Sequence, residues 1–201
     1  MSNKTIGSGQ GILVVLSAPS GCGKTSIVER LLKRHPDWVR SISATTRKPR
    51  VDEKDAQDYF FYSKLDFEQK VRDGKMLEHA VIYGNLYGTP REFAEEQVVQ
   101  GKTVIMTIDV QGTKQIMESW GKERPLLSIF ILPPSVKVLR ERLTGRNTES
   151  PEEIEKRIGI AQDEIKAAKL YNHTVINQNL DQAVLEVEEI ISNVSQQRRK
   201  K

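Results

Sequence analysis

The sequence predicts an α/β fold in which a parallel β-sheet is flanked by helices on both faces. Short runs of apolar and β-branched residues recur along the 201-residue chain, and helical patterns lie between or after them. Such alternation is typical of strand–helix–strand units, whose helices cover a parallel sheet. Short alternating pieces at 41–88 and a polar segment at 144–150 interrupt it. We therefore expect one core that carries two insertions, a small α+β lobe and a lid.

The individual elements follow from local patterns. Apolar, β-branched runs predict four strands, at 12–16, 103–108, 127–132 and 173–176. Helical periodicity predicts helices at 24–34, 65–72, 90–99, 112–119, 136–143, 151–169 and 180–194. Two helices carry the same start signal, in which a hydroxyl residue is followed by a proline and later a glutamate, at Thr89-Pro90 and Ser150-Pro151. We expect each hydroxyl to cap its helix.

The segment SAPSGCGKTS, at 17–26, joins the first strand to the first helix and matches the Walker A pattern. Gly21 and Gly23 allow backbone amides to point at a β-phosphate, and the helix dipole adds positive potential. Lys24 can reach β- and γ-phosphate oxygens, and the Thr25 hydroxyl can bind a bridging Mg²⁺. The chain is therefore predicted to bind a nucleotide. The residues expected to contact it are Ala18, Pro19, Ser20, Gly21, Cys22, Gly23, Lys24, Thr25 and Ser26.

The net charge of +4 comes from the end of the chain. Four basic residues lie at 198–201, and the other 27 basic residues balance 27 acidic ones. We therefore expect no nucleic-acid partner and a disordered basic tail over 193–201. The longest apolar run, 12–16, is too short to span a membrane, and the first residues lack a signal-peptide pattern. These features predict a cytoplasmic protein without a membrane segment.

The single cysteine, Cys22, excludes an internal disulfide and fits a reducing compartment. Its place in the loop leaves two interpretations. A helix N-terminus lowers the pKa of a thiol, so that oxidation or alkylation of Cys22 would block nucleotide entry. Alternatively, a small residue fills the loop, which the size of cysteine alone explains, and we favour this interpretation.

A second anion site is predicted in the segment SATTRKPR, at 43–50. Arg47 and Arg50 flank a proline-stiffened turn, and their guanidinium groups can hold a phosphate through paired hydrogen bonds. The alternative is an exposed basic loop that pairs with the acidic residues Asp52, Glu53 and Asp55.

Motifs in order along the chain resemble the successive signatures of the guanylate kinase family. They are SATTRKPR at 43–50, DYFF at 58–61, LEHA at 77–80, YGNLYGT at 83–89 and IDVQG at 108–112. The resemblance covers about 11–192. It implies a kinase-like unit over 9–192, divided into a P-loop core at 9–40, 90–141 and 159–192, a GMP-binding lobe at 41–89 and a lid at 142–158. It also implies transfer of the γ-phosphate of ATP to GMP, with Mg²⁺, in purine nucleotide metabolism.

The resemblance implies a GMP site in the inserted lobe. The residues that would hold the GMP phosphate are Arg47, Arg50, Tyr59 and Tyr87. Glu78 and Asp109 would accept hydrogen bonds from guanine N1–H and its exocyclic amine. Carboxylates cannot donate, so adenine, whose N1 carries no proton, is disfavoured. Hydroxyl groups that could serve guanine O6 and N7 belong to Ser43 and Thr89.

The resemblance also implies how the phosphoryl group is transferred. The charges that would stabilise it belong to Lys24, Arg47, Arg142, Arg146 and Arg157, with Arg140 nearby. Closure of the lid would keep water out. The alternative for any one lid arginine is an exposed ion pair with Glu141, Glu149 or Glu155. Asn177, after the last strand, resembles the position at which the family packs the adenine of ATP.

Two residues depart from the family pattern. Thr107 stands where many relatives carry an acid, so a water-mediated contact to Mg²⁺ from that position would be lost or weakened. Asn147 replaces an expected lid glycine.

Two other functions are considered: a binding module without catalysis, which the complete Walker loop disfavours, and a kinase for AMP or UMP, which Glu78 and Asp109 disfavour. The oligomeric state is not predicted.

Overall fold

The computed structural model describes residues 11–82, 84–121, 124–145 and 150–199. The strands within these ranges are β1 (Ile12–Ser17), β2 (Val39–Arg40), β3 (Ala44–Thr45), β4 (Phe60–Phe61), β5 (Met76–Ile82), β6 (Asn85–Pro90), β7 (Thr103–Thr107), β8 (Leu126–Leu132) and β9 (His173–Ile176). The helices are α1 (Lys24–Arg34), α2 (Lys64–Arg72), α3 (Arg91–Val99), α4 (Val110–Ser119), α5 (Val136–Thr144), α6 (Pro151–Lys166) and α7 (Leu180–Arg199). A 3₁₀ turn, Ala167–Leu170, follows α6.

A five-stranded parallel sheet forms the centre of the fold, with the strand order β2-β7-β1-β8-β9. β1 is central and fully buried. Val14 and Leu16 pack with side chains of α1, α5, α6 and α7, whereas Leu13 and Val15 pack with side chains of α3 and α4. This alternation follows the two-residue period of a strand. The predicted parallel sheet with helices on both faces is confirmed.

The four predicted strands of this sheet are present, each within one residue of its predicted ends. The fifth, β2, was not predicted. It has two residues, pairs with β7 at the edge of the sheet, and is only partly buried. Two residues are too few to show the apolar alternation by which a strand is recognised.

The segment predicted as an α+β insertion contains a second sheet, with the order β4-β3-β6-β5. β6 pairs antiparallel with both β3 and β5, and Phe67 of α2 is buried with Ala44 and Met76 against this sheet. The pairing of β5 with β6 has a register shift between Met76 and Glu78. Within the described ranges, no strand pairs with the other edge of β5, which faces α4.

One predicted helix start is confirmed and the other is wrong. Ser150 and Glu153 form a reciprocal capping box at the start of α6. At α3, Pro90 occupies the cap position without a side-chain hydrogen bond, and Thr89 belongs to β6. Thr89 lies opposite Glu78 on β5, and its hydroxyl donates to that carboxylate instead.

The last helix is longer than predicted. α7 continues to Arg199, so the expectation of a disordered tail is wrong for residues 193–199. Val187 and Ile191 anchor α7 on the core, and Val194 packs at the edge of the same cluster. Extending an anchored helix is easier than starting one, and Gln and Arg are good helix formers. None of the described helices is long and apolar enough to cross a membrane.

Candidate active site

The phosphate-binding loop lies at the carboxyl end of β1 and leads directly into α1. Gly21 and Gly23 have φ angles of +87° and +83°, a region that favours glycine. A Cβ at position 23 would also lie 2.5 Å from Asn177 Nδ2. Ala18, which replaces the first glycine of the pattern, is not among the described residues with a positive φ, so alanine is not strained there. The predicted strand–loop–helix arrangement is present.

A cavity of about 370 Å³ opens over this loop. Its walls include the loop residues 18–26 and, from outside the loop, Asp109 and Glu164. Asp109 follows β7, which is the parallel neighbour of β1. The carboxyl ends of two adjacent strands therefore meet at the cavity, the edge at which open α/β sheets bind their ligands.

Lys24 is held against the end of β7. Its Nζ donates to the backbone oxygen of Ile108 at 3.4 Å, and Ser17 Oγ donates to the same oxygen at 2.6 Å. Burial lowers the pKa of Lys24, whereas the carboxylates of Glu164 and Asp109 act to raise it. The ammonium group thus has two acidic neighbours on the cavity wall.

Sequence reasoning missed Glu164. It lies in α6, seven residues after Arg157, so that two helical turns place both residues on the same face. Burial raises the pKa of Glu164, and Lys24 acts in the opposite direction. The seven-residue spacing from a predicted lid arginine is the signal that could have identified it, but glutamates are common on exposed helix faces.

Cys22 is fully buried within the loop. Burial raises the pKa of its thiol to about 12, although Arg142 and Lys24 act to lower it. This direction is opposite to that of a reactive thiolate. The structure therefore supports the interpretation that Cys22 fills the loop.

Asn177 lies beneath the loop and is 3% exposed. Its Nδ2 donates to the Cys22 backbone oxygen at 2.8 Å, and its own backbone oxygen accepts a hydrogen bond from Arg142 Nη2 at 2.9 Å. Asn177 therefore links α5 to the loop. The predicted contact of Asn177 with adenine stays a prediction.

The predicted lid arginines differ in their surroundings. Arg157 of α6 donates to Ser20 Oγ at 3.0 Å, which brings this helix to the loop. Arg140 pairs with Glu155, the alternative foreseen for an arginine of this region. Arg146 and Asn147 lie outside the described residues.

Glu78 and Asp109 are brought together at the start of α4. Glu78 is 8% exposed, and its Oε1 accepts a hydrogen bond from Thr89 Oγ1 at 2.7 Å. Asp109 caps α4, where its Oδ1 accepts from Gly112 N at 2.7 Å. A Cβ built on Gly112 would lie 3.1 Å from Glu78 Oε2 and 3.4 Å from Asp109 Oδ1. The two carboxylates therefore flank one point on the first turn of the helix.

The environment of Glu78 has a strong effect on its titration. Burial raises the pKa of Glu78 to about 7; the hydrogen bond from Thr89 acts to lower it, and the charge of Asp109 acts to raise it. We therefore expect Glu78 to change its charge near neutral pH.

Thr107, two residues before Asp109, ends β7 and is partly buried.

The four predicted phosphate-binding residues of the lobe are only partly assembled. Arg47 donates two hydrogen bonds to Glu53, at 2.7 and 2.9 Å, which raise the pKa of the guanidinium. The same guanidinium lies 5.6 Å from the Tyr59 ring centroid, and the Tyr59 and Tyr87 rings are 6.1 Å apart. Arg50 is exposed and donates to Glu53 through its backbone nitrogen. The foreseen alternative of pairing with Glu53 therefore occurs for Arg47.

Ser43, the remaining predicted residue, is partly buried and immediately precedes β3. Its backbone oxygen accepts a hydrogen bond from Phe60 N at 2.9 Å. β3 also pairs with β6, which carries Tyr87 and Thr89. Ser43 thus adjoins the sheet that carries Glu78 and Thr89.

Comparison with known proteins identifies the family. The guanylate kinase family model matches residues 10–194. A guanylate kinase from Synechocystis sp. is 49% identical over 87% of this chain and 90% of its own length, and one from Wolbachia sp. subsp. Brugia malayi is 44% identical over 90% of this chain and 92% of its own length. The crystal structure of guanylate kinase from Anaplasma phagocytophilum has a TM-score of 0.70 and 31% identity, covering 92% of this chain and 86% of that one. The chain therefore belongs to the guanylate kinase family.

Proposed function

We propose that the chain transfers the γ-phosphate of ATP to GMP, giving ADP and GDP. The position of Asp109 is the observation that carries this proposal. Asp109 lines the cavity over the phosphate-binding loop and also lies beside the buried Glu78. One residue thus connects a site suited to the phosphates of a donor with a site suited to a base that offers hydrogen-bond donors.

The loop would hold the phosphates of ATP. Backbone amides of residues 21–25 and the Lys24 ammonium supply hydrogen bonds and positive charge to the β- and γ-phosphates. The residues present fit a Mg²⁺ bound chiefly by phosphates, because Thr25, whose hydroxyl can bind the ion, lines the cavity. Thr25 would be the protein ligand. When bound, Mg²⁺ would neutralise charge on the β- and γ-phosphate oxygens.

Glu78 and Asp109 would select the acceptor. Guanine presents N1–H and an exocyclic amine on one edge, and two carboxylates can accept both hydrogen bonds. Adenine would leave a buried acceptor facing a carboxylate, which costs far more than a lost contact. Thr89 already donates to Glu78 Oε1, which leaves Oε2 for the base. Ser43 and Thr89 are our candidates for donating to guanine O6 and N7, and Thr89 would have to turn its single hydroxyl proton away from Glu78 to do so.

Arg47, Arg50, Tyr59 and Tyr87 would hold the GMP phosphate. In this structure the Glu53 carboxylate forms a salt bridge with the Arg47 guanidinium. The GMP phosphate must therefore displace this carboxylate or share the arginine with it. The two phenol hydroxyls can donate to the remaining phosphate oxygens. Arg50 is exposed, so its side chain can move toward the phosphate without breaking buried contacts.

Transfer breaks the bond between the γ-phosphorus of ATP and the β,γ-bridging oxygen and forms a bond to a GMP phosphate oxygen. Lys24, Arg47, Arg142, Arg146 and Arg157 would stabilise the charge that spreads over the transferred group. Arg157 already donates a hydrogen bond to the Ser20 hydroxyl of the loop. Arg142 donates to the backbone oxygen of Asn177, the residue that lies beneath the loop. A lid that closes over both nucleotides would also keep water from acting as the acceptor.

We place this reaction in the cytoplasm and in purine nucleotide metabolism, with ATP and GMP as the small-molecule partners. The buried, unpaired Cys22 is compatible with a reducing compartment. We expect no nucleic-acid partner, because the 27 basic residues outside the stretch 198–201 balance the 27 acidic ones.

The test is ADP release from ATP, measured with GMP, dGMP, AMP, UMP and dTMP as acceptors in the presence of Mg²⁺. GMP should exceed AMP and UMP by on the order of 10³-fold in kcat/KM, because mismatched bases leave buried polar groups unpaired. Lys24→Met in the same assay measures background hydrolysis. Equal use of AMP or UMP would contradict the assigned acceptor, and no acceptor-dependent ADP release at all would indicate a binding module.

A further inference from the structure

Two side chains of α4 bind the free edge of β5. Gln115 Oε1 accepts a hydrogen bond from His79 N at 3.0 Å, and Gln115 Nε2 donates to His79 O at 3.0 Å. One turn later, Ser119 Oγ donates to Leu77 O at 2.8 Å. We refer to Gln115 and Ser119 as the α4 clamp. The carboxamide of Gln115 thus takes the place of the missing neighbouring strand.

The α4 clamp grips β5 on both sides of Glu78. Leu77 and His79 are the residues directly before and after it, and the register shift of β5 lies at the same point. The helix that carries the clamp begins at Asp109, the second acid. Gly112, between them, is close enough to both carboxylates that a Cβ there would touch each. One helix therefore holds both acids, Asp109 directly and Glu78 through the clamp.

We propose that Gln115 is a positioning residue for guanine recognition, which fixes the Glu78 carboxylate relative to Asp109. This inference rests on the proposed use of GMP as the acceptor. Apolar packing of Leu77 with Ile116 and Trp120 already holds β5 near α4, but such packing is not directional. A paired donor and acceptor on one backbone residue fixes the position along the strand, and the carboxamide is suited to this because it carries both groups.

The surroundings of Gln115 indicate that the fold does not depend on these bonds. A cavity of about 330 Å³ opens to solvent beside Gln115, His79 and Ser119. Water can therefore reach the His79 backbone when the side chain is shortened or made apolar, so no buried polar group is left unpaired. The loss should appear as imprecise placement of Glu78 rather than as unfolding.

The test compares Gln115→Met and Ser119→Ala with Gln182→Met, which removes the same amide from an exposed position of α7. For Gln115→Met we expect the KM for GMP to rise about tenfold while the KM for ATP changes less than about twofold. The ratio of kcat/KM for GMP over IMP, which lacks the exocyclic amine, should fall. Ser119→Ala should shift the same quantities in the same direction by less, and Gln182→Met should shift none of them.

A double-mutant cycle with Glu78→Gln separates positioning from general structural damage. If Gln115 acts through Glu78, adding Gln115→Met to Glu78→Gln should change the KM for GMP by less than about twofold. Fully additive effects, or equal losses for GMP and ATP, would overturn the proposal. If the wild-type protein phosphorylates GMP and Gln115→Met does so with unchanged KM and unchanged GMP preference, only the clamp is refuted. If the wild-type protein does not phosphorylate GMP, the proposed function fails and the clamp proposal falls with it.

Discussion

The pH dependence of GMP use should report the ionisation of Glu78. Only the ionised carboxylate can accept a hydrogen bond from guanine without presenting a proton of its own. Burial raises the pKa of Glu78 from 4.5 to about 7, so lowering the pH from 8 to 6 reduces its ionised fraction from about nine-tenths to about one-tenth. The kcat/KM for GMP, which reports the free enzyme, should therefore fall about tenfold over this range beyond any change common to both nucleotides.

The assay is ADP release at saturating ATP with GMP varied, at intervals from pH 5 to pH 9. GMP titrates its own phosphate at a pKa of about 6, so the profile must be compared with that of Glu78→Gln, which keeps this substrate titration but has no carboxylic acid at position 78. We expect Glu78→Gln to weaken GMP use much more than ATP use. Its profile should also lack the limb near pH 7, that is, the fall in kcat/KM for GMP that the wild type shows there. The difference between the two profiles isolates the carboxylate of Glu78.

A second variant tests the direction of the effect. Thr89→Val removes the hydrogen bond that lowers the pKa of Glu78, so the limb should move to higher pH. The reasoning would be refuted if the limb were identical in the wild type and Glu78→Gln, or if Thr89→Val moved it to lower pH.

Three further predictions concern the phosphate-binding loop. Lys24→Met should remove most of the turnover while the melting temperature stays within a few degrees, as seen by circular dichroism; near-normal turnover would contradict its role. Cys22, with a pKa of about 12, should resist iodoacetamide at pH 8 in the native protein, and mass spectrometry should find it alkylated only after unfolding. Gly23→Ala should abolish ATP binding in calorimetry, because its Cβ would collide with Asn177 and φ is positive; wild-type affinity would refute this.

The loop could be predicted from the sequence because its chemistry is local. The positive φ angles of Gly21 and Gly23, the strand before them and the helix after them all belong to one short segment. The cap at Ser150 could be predicted for the same reason, since a capping box needs residues only three apart.

Other features depend on contacts between distant parts of the chain. Thr89 satisfies the local signal for a helix cap, yet it pairs with Glu78, eleven residues away, because β5 and β6 bring the two together. Glu164 lines the cavity over the phosphate-binding loop only because α6 packs near that loop. The continuation of α7 beyond its predicted end depends on Val194 packing against the core, which charge and composition do not show. Gln115 likewise reaches His79 through the placement of α4, not through any local motif.

The ion pair between Arg47 and Glu53 affects how tightly anions can bind at the proposed site for the GMP phosphate. Any anion that approaches Arg47 meets a carboxylate already bound to it in a forked geometry. Inorganic phosphate would have to compete with this internal counter-ion through its own charge alone, whereas a mononucleotide brings the additional free energy of its base. We therefore expect the proposed GMP site to bind free orthophosphate more weakly than a mononucleotide.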